Sequence, residues 1–511
     1  MRTCREWYNS RWREEEEEKL PVAKRQLTAA DLYNYVKCAH RVYLDSNGDP
    51  KEKGEVNLFV KLLWEKGLQT EKEYLESLGD KRVVDLSKKS VKEAWPETRQ
   101  YMEEGAELIY QACLKHGFYV GRPDLLLRHV GASSNFGSYY YEPIDIKAGR
   151  GWEIRDGKYR KFKKHYAFQI LFYQMLLGRV QGYTARVGRI INVEGEIEEF
   201  DPLTFEDEFS QALAEVQKLV QGEETSEPVL GGRCFQCEWF KHCRAWVDKT
   251  SDPTAVFFVG KSKFRLKEVG LREVRHLAEM DISKYLKPPL KIPGVGQKSL
   301  VRMKQRAQVV VDGKPLIRKG YSFPEASAEI YFDIEDDPTR GLVYLFGLLT
   351  KENGEFRYRY FLARNPGEEE GTAREFWEFL ESTEEAVYYV YSHKERSTLK
   401  HVREKYALDE ATLEKYRLSE FDLYSGLIIA YSDWPTFSYG MKYITQRIGF
   451  KWRDPDPSGV NSIVWYNEYL EDPGEESKLQ RILRYNEDDC RAMVALKEYF
   501  EKRAEAGEYV S

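Results

Sequence analysis

Three groups of side chains in this chain have the types and spacing that chemistry needs. The first is Cys234-Phe-Gln-Cys237-Glu-Trp-Phe-Lys-His-Cys243, which places three of the seven cysteines within ten residues. Gaps of two and five residues let short turns aim sulfurs at one soft metal centre, and Cys38 is a candidate fourth ligand. Four thiolates suit either tetrahedral zinc or a 4Fe–4S cluster. The second group is Asp124, in Gly121-Arg-Pro-Asp124, with Asp145-Ile-Lys147. Two carboxylates and an ammonium around one point can hold Mg²⁺ and stabilise charge on an attacked phosphate. The third group is Asp333-Ile-Glu335, Glu395 and Tyr485-Asn-Glu-Asp-Asp489. Four converging acids repel one another without cations, so they point to two Mg²⁺ or Mn²⁺ ions holding an attacking water and a leaving oxygen.

The surrounding sequence supplies elements that would position these groups. Thr28 is a helix N-cap, and Cys38 ends the short helix that follows. Residues 55–79 have helical spacing and contain Gly67-Leu-Gln-Thr70-Glu71. Phe118 to Arg128 reads as strand, tight turn and strand, and Tyr139 to Lys147 as a further strand. Antiparallel pairing of these neighbours brings Asp124 close to Asp145, and Asp145 shares a strand face with Lys147. Tyr159-Arg-Lys161-Phe-Lys163-Lys164-His165 is a basic run interleaved with aromatics, suited to a phosphate backbone. It leads into a helix with Gln169 and Tyr173 on one face. The 195–230 region supplies acidic helix surface.

Leu271 to Leu286 has helical spacing. Beyond it, Lys287 to Arg306 holds six Lys or Arg and no acid, around the turn Pro293-Gly294-Val-Gly296. A helix start after such a turn offers backbone N–H groups to a phosphate, with Gly294, Gly296, Lys298 and Arg302 as candidate contacts. Glu329 to Pro338 alternates apolar and acidic, which puts Asp333 and Glu335 on one strand face. Val343 to Leu349 is a partner strand, and Ala386 to Ser392 is another that leads to Glu395 in a first helical turn. Tyr485 and Asp489 lie one turn apart on a helix. His393 is read as a polar group at a helix start and Asp422 as an outer ligand to the acidic group.

Length and composition bound these readings. At 511 residues the chain has room for about three domains. A net charge of −6 excludes a uniformly basic nucleic-acid binder but not one with local basic patches. No apolar run reaches the length of a membrane span, and Leu342 to Leu349 is among the longest. Arg11-Trp-Arg13 followed by Glu14 to Glu18 has no signal-peptide character. Thiols at metal-site spacing fit a reducing cytoplasm. Cys4, Cys113 and Cys490 are read as ordinary thiols. No phosphate loop of the helicase-motor kind is present.

Residues 27–250 resemble the RecB family of PD-(D/E)XK nucleases, in the iron–sulfur branch of CRISPR-associated RecB-like exonucleases and the AddB nuclease domain. The ordered set carries the resemblance: Cys38, Gly121-Arg-Pro-Asp124, Asp145-Ile-Lys147, Gln169-x-x-x-Tyr173, then Cys234, Cys237 and Cys243. It implies a 4Fe–4S cluster on the four cysteines, catalytic Asp124, Asp145 and Lys147, and support from Gln169 and Tyr173. The family's histidine after the first-motif glycine is replaced, with Thr70 in that slot and Glu71 beside it. Residues 326–505 resemble RNase H-like DEDD exonucleases of the tyrosine type. Here Asp333, Glu335, Glu395 and Asp489 match the metal ligands and Tyr485 the residue that orients water. Ser438 to Trp452 resembles a substrate-facing helix and loop of that domain.

The implied fold class is α/β. A charged tail (1–26) precedes a restriction-endonuclease-like domain (27–250), a helix-hairpin-helix-like linker (251–325), an RNase H-like exonuclease domain (326–505) and a short tail (506–511). That order resembles a prokaryotic family of RecB-type nuclease fusions. The function it implies is Mg²⁺- or Mn²⁺-dependent hydrolysis of DNA, single-stranded or with single-stranded ends. One alternative is a DNA-binding scaffold with one active exonuclease; another is an RNA-processing exonuclease.

Overall fold

The computed structural model describes residues 25–506 apart from 80, 81, 156–158 and 353. The acidic run Glu14 to Glu18 and Cys4 lie outside the described residues. The chain divides into two units: the part up to Glu55 with Lys61–Pro228, and Val56–Val60 with Val229–Ser511.

In the first unit, α1 (Ala29–Lys37) starts at Thr28, whose side chain and that of Asp31 form a reciprocal capping box. Cys38 ends this helix and starts the next, Ala39–Asn47. Helix α2 (Leu58–Ser77) covers the expected 55–79 segment. Six strands follow: β1 (Val83–Asp85), β2 (Leu108–Tyr110), β3 (Leu125–Ser134), β4 (Gly137–Ile146), β5 (Gly188–Ile191) and β6 (Ile197–Phe200). Their order in the sheet is β6-β5-β4-β3-β2-β1. β3 and β4 form the expected antiparallel hairpin with Leu125 opposite Ile144, and β5 lies parallel to β4.

Alternation along the strands gives the sheet two apolar faces. Leu126, Tyr141 and Ile190 pack in one cluster with Ile170 and Phe172 of α3 (Lys164–Gln181) and Leu213 of α4 (Glu206–Gln221). Leu125, Ile144 and Ile191 form a second cluster, against which Tyr74, Leu75 and Leu78 pack at the end of α2. Helix α3 is apolar nearly all round, as a helix with no free face must be.

The second unit opens with the cysteine segment. A 3₁₀ turn (Gly232–Gln236) leads to a helix (Phe240–Thr250), and Cys234, Phe235 and Cys243 pack around Leu230, Val247 and Phe437. The apolar spacing from Leu271 to Leu286 does not yield one helix. It breaks into Val274–Glu279 and a 3₁₀ turn, Ile282–Tyr285, because Asp281 accepts from the Ser283 N–H and starts a new cap. Helix α5 (Gln297–Asp312) follows the glycine turn, with Gly296 as its N-cap.

Five strands then form a mixed sheet: β7 (Ala328–Asp337), β8 (Leu342–Glu352), β9 (Glu355–Leu362), β10 (Ala386–Val390) and β11 (Glu420–Asp422), in the order β9-β8-β7-β10-β11. The first three are antiparallel; β10 runs parallel to β7, and β11 to β10. Ile330, Phe332 and Ile334 of β7 bury one face against Phe376 and, from α6 (Lys394–Tyr406), Leu399 and Val402. The other face lies under α7 (Met441–Arg447), α8 (Gly459–Glu471) and α9 (Glu476–Glu505), with Tyr331 and Leu349 packed near Cys490 and Met493. Asp333 and Glu335 point to that second face. Asp333 sits opposite Gly347 of β8, and the register shifts just after Glu335.

Candidate functional site

The acidic group of the second unit is assembled from a central strand and two helices. Ligand oxygens of Asp333, Glu335 and Asp489 all lie within 4.8 Å of one another. Asp333 and Glu335 come from β7 and Asp489 from α9. Asn486, fully buried on α9, donates to Asp333 Oδ2 at 2.7 Å and accepts from the Tyr358 hydroxyl at 2.8 Å. A Cβ at position 347 would lie 1.6 Å from the Asn486 Oδ1, so β8 needs glycine for α9 to reach the strand.

Electrostatics at this point favour a cation. Burial, then the neighbouring Asp489, pushes the Asp333 carboxyl up to about 8. Burial followed by Asp333 raises both Glu335 and Glu395, and burial raises Asp489 against the pull of Lys442. Glu395 arrives from the first turn of α6, and its Oε2 is buried with no hydrogen-bond partner. Four acids thus share Lys394, already paired with Asp336 at 2.7 Å, and Lys442. A divalent cation would supply the charge and the ligand contacts that this donor set lacks, so the residues fit one.

Tyr485 completes the group. Its hydroxyl accepts from Lys442 Nζ at 3.1 Å and bonds Asp489. Burial, then Asp489, holds it well above the usual phenol range, so it is a neutral hydroxyl. Trp452 Nε1 donates to Asp489 Oδ1 at 2.7 Å, and Ser462 bonds both Glu335 and the Tyr344 hydroxyl. Asp488 is turned away and held by Arg453 at 2.7 Å. Asp422 is occupied in a cap: it accepts from the N–H groups of Ser392 and Tyr424 and from the Ser425 hydroxyl. His393 is the N-cap residue of α6.

In the first unit the hairpin brings Asp124 beside Asp145. The Asp124 N–H lies 3.3 Å from Asp145 Oδ1, and the Ile146 N–H donates to Asp124 Oδ2 at 2.8 Å. Lys147 Nζ donates to Asp145 at 2.7 Å and to Gln169 Oε1 at 3.0 Å. Burial, then Asp145 and Glu71, drives the Asp124 carboxyl well up, against the pull of Lys147. Burial would lower Lys147, but Asp145 and Asp124 outweigh it and hold the ammonium charged. Tyr173 is buried on the same side; a Cβ at Gly121 would come within 2.8 Å of its ring.

One further residue, Gln111, joins this group without a clear signal in the sequence. Gln111, at a φ of 52°, donates to Glu71 Oε1 at 2.7 Å and to Asp124 Oδ1 at 2.9 Å. Thr70 is buried and spends its hydroxyl on the Lys66 carbonyl at 2.9 Å. Glu71, not Thr70, therefore faces the carboxylates.

The cysteines and basic residues are placed as follows. Cys38 belongs to the first unit; Cys234, Cys237 and Cys243 belong to the second. The latter three come from a 3₁₀ turn, the residue that ends it and the first turn of the next helix, and each is half-buried. Short turns presenting partly buried sulfurs suit a thiolate-bound metal or cluster. In the basic run, Lys161 is exposed, Lys163 donates to the Arg150 carbonyl at 2.6 Å and Lys164 pairs with Glu208 at 2.7 Å. The side chains of Tyr159 and Arg160 lie outside the described residues. Gly294 has a φ of 72°, and Gly294, Gly296 and Lys298 are exposed. Arg302 is engaged with Asp433 at 3.1 Å and the Ile429 carbonyl at 2.6 Å.

Residues 330–501 match the RNase_H_2 family model of the RNase H superfamily. This span covers β7 to α9 and contains all five residues of the acidic group. The second unit thus carries an RNase H-like domain. No curated protein matches the chain. No helix among the described residues is long and apolar enough to cross a membrane.

Proposed function

We propose that this protein is a divalent-metal-dependent nuclease with two hydrolytic sites, the RNase H-like domain acting as a 3′→5′ exonuclease on DNA ends. The observation that carries the reading is the packing of half-buried Asp333 with buried Glu335 and Asp489 within 4.8 Å, beside an unpartnered Glu395 oxygen. These four acids would hold Mg²⁺ or Mn²⁺, which supplies a polarised water and charge neutralisation at the phosphate. Tyr485, fixed by Lys442 and Asp489, orients the attacking water through its hydroxyl. Asn486 keeps Asp333 pointed inward, and Trp452 does the same for Asp489. Lys442 adds positive charge where the phosphate's oxygens gather negative charge.

The first unit is read as a RecB-like nuclease site. Asp124 and Asp145 would bind the cation and Lys147, steadied by Gln169, would stabilise the attacked phosphate. The resemblance to the iron–sulfur branch implies a 4Fe–4S cluster with Cys38, Cys234, Cys237 and Cys243 as ligands; the spacing alone suits zinc as well. The exposed turn at Gly294, Gly296 and Lys298, with Lys161, supplies candidate contacts to the nucleic-acid backbone.

The test uses anaerobically purified full-length protein, Mg²⁺ or Mn²⁺, and end-labelled single-stranded DNA and RNA. Asp333→Ala should abolish the ladder that shortens from the 3′ end; Asp145→Ala should remove a different product set. Retention of both ladders in Asp333→Ala contradicts the assignment. Preference for RNA over DNA shifts the substrate class and leaves the sites intact.

A further inference from the structure

Three arginines of the second unit converge on one buried carboxylate away from the acidic group. Asp433 lies in a two-residue strand (Ser432–Asp433) that pairs antiparallel with Leu316–Ile317. Arg318 follows that partner strand, and Arg302 and Arg306 stand four apart on α5. Arg306 Nε donates to Asp433 Oδ1 at 2.9 Å, Arg302 Nε lies 3.1 Å from the same oxygen, and Arg318 Nη2 donates to Oδ2. Among the described residues Asp433 is the one carboxylate that pairs with any of the three.

Three cations on one anion leave a surplus of two positive charges at a semi-buried point. Main-chain carbonyls of Ile429 and Phe257 accept from Arg302 and Arg306, but they carry no net charge. Arg318 Nη1 is buried without an acceptor, and Arg302 Nε makes no hydrogen bond of good geometry. Burial depresses the Arg302 guanidinium, and Arg306 and Arg318 add to this against the pull of Asp433. A knot serving only to join two segments would be expected nearer neutrality, because uncompensated buried charge destabilises the fold. Arg302 and Arg318 keep 29% and 23% of their side-chain exposure, whereas Arg306 keeps 7%. The surplus therefore has an open edge, and that edge is Arg302 with Arg318.

We propose that Arg302 and Arg318 form a phosphate-binding site, supported from beneath by Asp433 and Arg306, and that its occupant is a backbone phosphate of a nucleic-acid strand. A phosphate can accept from the exposed N–H groups that each guanidinium keeps outside its bonds to Asp433, and it cancels the surplus charge. Position argues for a strand as its source. Lys298, exposed, stands one turn before Arg302 on the same face of α5, just after the Gly294–Gly296 turn. Successive phosphates could follow the turn, Lys298 and the arginine pair. The choice of a nucleic-acid strand rests on the nuclease reading; the anion chemistry does not.

The experiment has two arms on the full chain, in chelator to prevent cleavage. Thermal unfolding is followed with inorganic phosphate against sodium chloride of equal ionic strength. Binding of a labelled single-stranded oligonucleotide is followed by anisotropy across a salt series. Phosphate should raise the wild-type midpoint and leave Arg318→Gln unmoved, while Arg318→Gln without phosphate should be no less stable than wild type. Its oligonucleotide affinity should fall about tenfold, and the slope of log affinity against log salt should shrink by about 0.7, the value for one lost phosphate contact on a single strand. Arg318→Lys keeps the charge without the fork and guards against misfolding; it should show an intermediate loss. If phosphate does not stabilise the wild type and the salt slope is unchanged in Arg318→Gln, the site does not exist. If phosphate stabilises but oligonucleotide binding is unaffected, the nucleic-acid occupant is overturned, whatever the cleavage assays show.

Discussion

Asp333→Asn should make the metal-free protein more stable while destroying cleavage. Asp333 ordinarily titrates near 3.8, and desolvation at its half-buried place beside Asp489 moves it to about 8. The folded state therefore keeps a proton that the unfolded chain releases between those values. Stability is highest below about pH 4, falls as pH rises through the window from about 4 to 8, and is flat above it. Each tenfold change in proton affinity is worth about 1.4 kcal/mol, so at pH 7 the full penalty approaches about 4 kcal/mol. Glu335 and Asp489 share that proton and that burial, so about half, about 2 kcal/mol, is assignable to removing one charge. An asparagine is isosteric, keeps the acceptor for Asn486 Nδ2 and offers an amide N–H to the adjacent carboxylates. For a domain of this size the gain corresponds to about 4–8 °C in unfolding midpoint. Calorimetry in EDTA at pH 7 measures it, and a repeat at pH 5 should shrink the gain. Added Mg²⁺ should raise the wild-type midpoint by more than that of the variant, which keeps only the Asp124 and Asp145 group intact. A variant less stable than wild type in EDTA would refute the reasoning, since Asp333 would then be contributing to the fold rather than straining it.

Other expectations follow from the same geometry. Lys442→Met removes the donor that fixes the Tyr485 hydroxyl and should lower kcat about 100-fold with KM little changed, as measured by steady-state cleavage; an effect confined to KM contradicts the positioning role. Gly347→Ala puts a Cβ onto Asn486 Oδ1 and should cost about 1–3 kcal/mol by denaturant titration, with activity lost in proportion to the displacement of α9. The apparent affinity for Mn²⁺ should rise with pH up to about 8, because the cation must displace the proton held by Asp333, and level off beyond it. In the first unit Glu71→Gln should lower the Asp124 proton affinity, since one of the two acids that raise it is gone. Carboxyl chemical shifts across a pH titration measure the change.

The parts of both sites that were legible in the sequence depend on local periodicity. Alternation puts Asp333 and Glu335 on one face of β7, and one helical turn puts Tyr485 with Asp489. A short hairpin is enough to set Asp124 beside Asp145. What was not legible depends on distant packing. Glu71 faces Asp124 because the end of α2 lies on the sheet, and Gln111 bridges them from a left-handed backbone position that no pattern marks. Asn486 looks like one polar residue among several, until Gly347 opens the space that lets it reach Asp333. Arg302 reads as part of a basic surface because its partner, Asp433, is 131 positions away in sequence. The helical spacing from Leu271 to Leu286 misleads for a local reason, the Asp281 cap, which outcompetes the helix.

The most direct test of the central claim is a Mn²⁺ titration of the full chain, read by electron paramagnetic resonance. Wild type is compared with Asp333→Ala/Glu335→Ala. The account predicts that the double variant loses at least one tightly held ion, together with the ladder that shortens DNA from its 3′ end. An unchanged number and affinity of bound ions in the double variant would contradict it, because the buried acids would then be something other than a cation site.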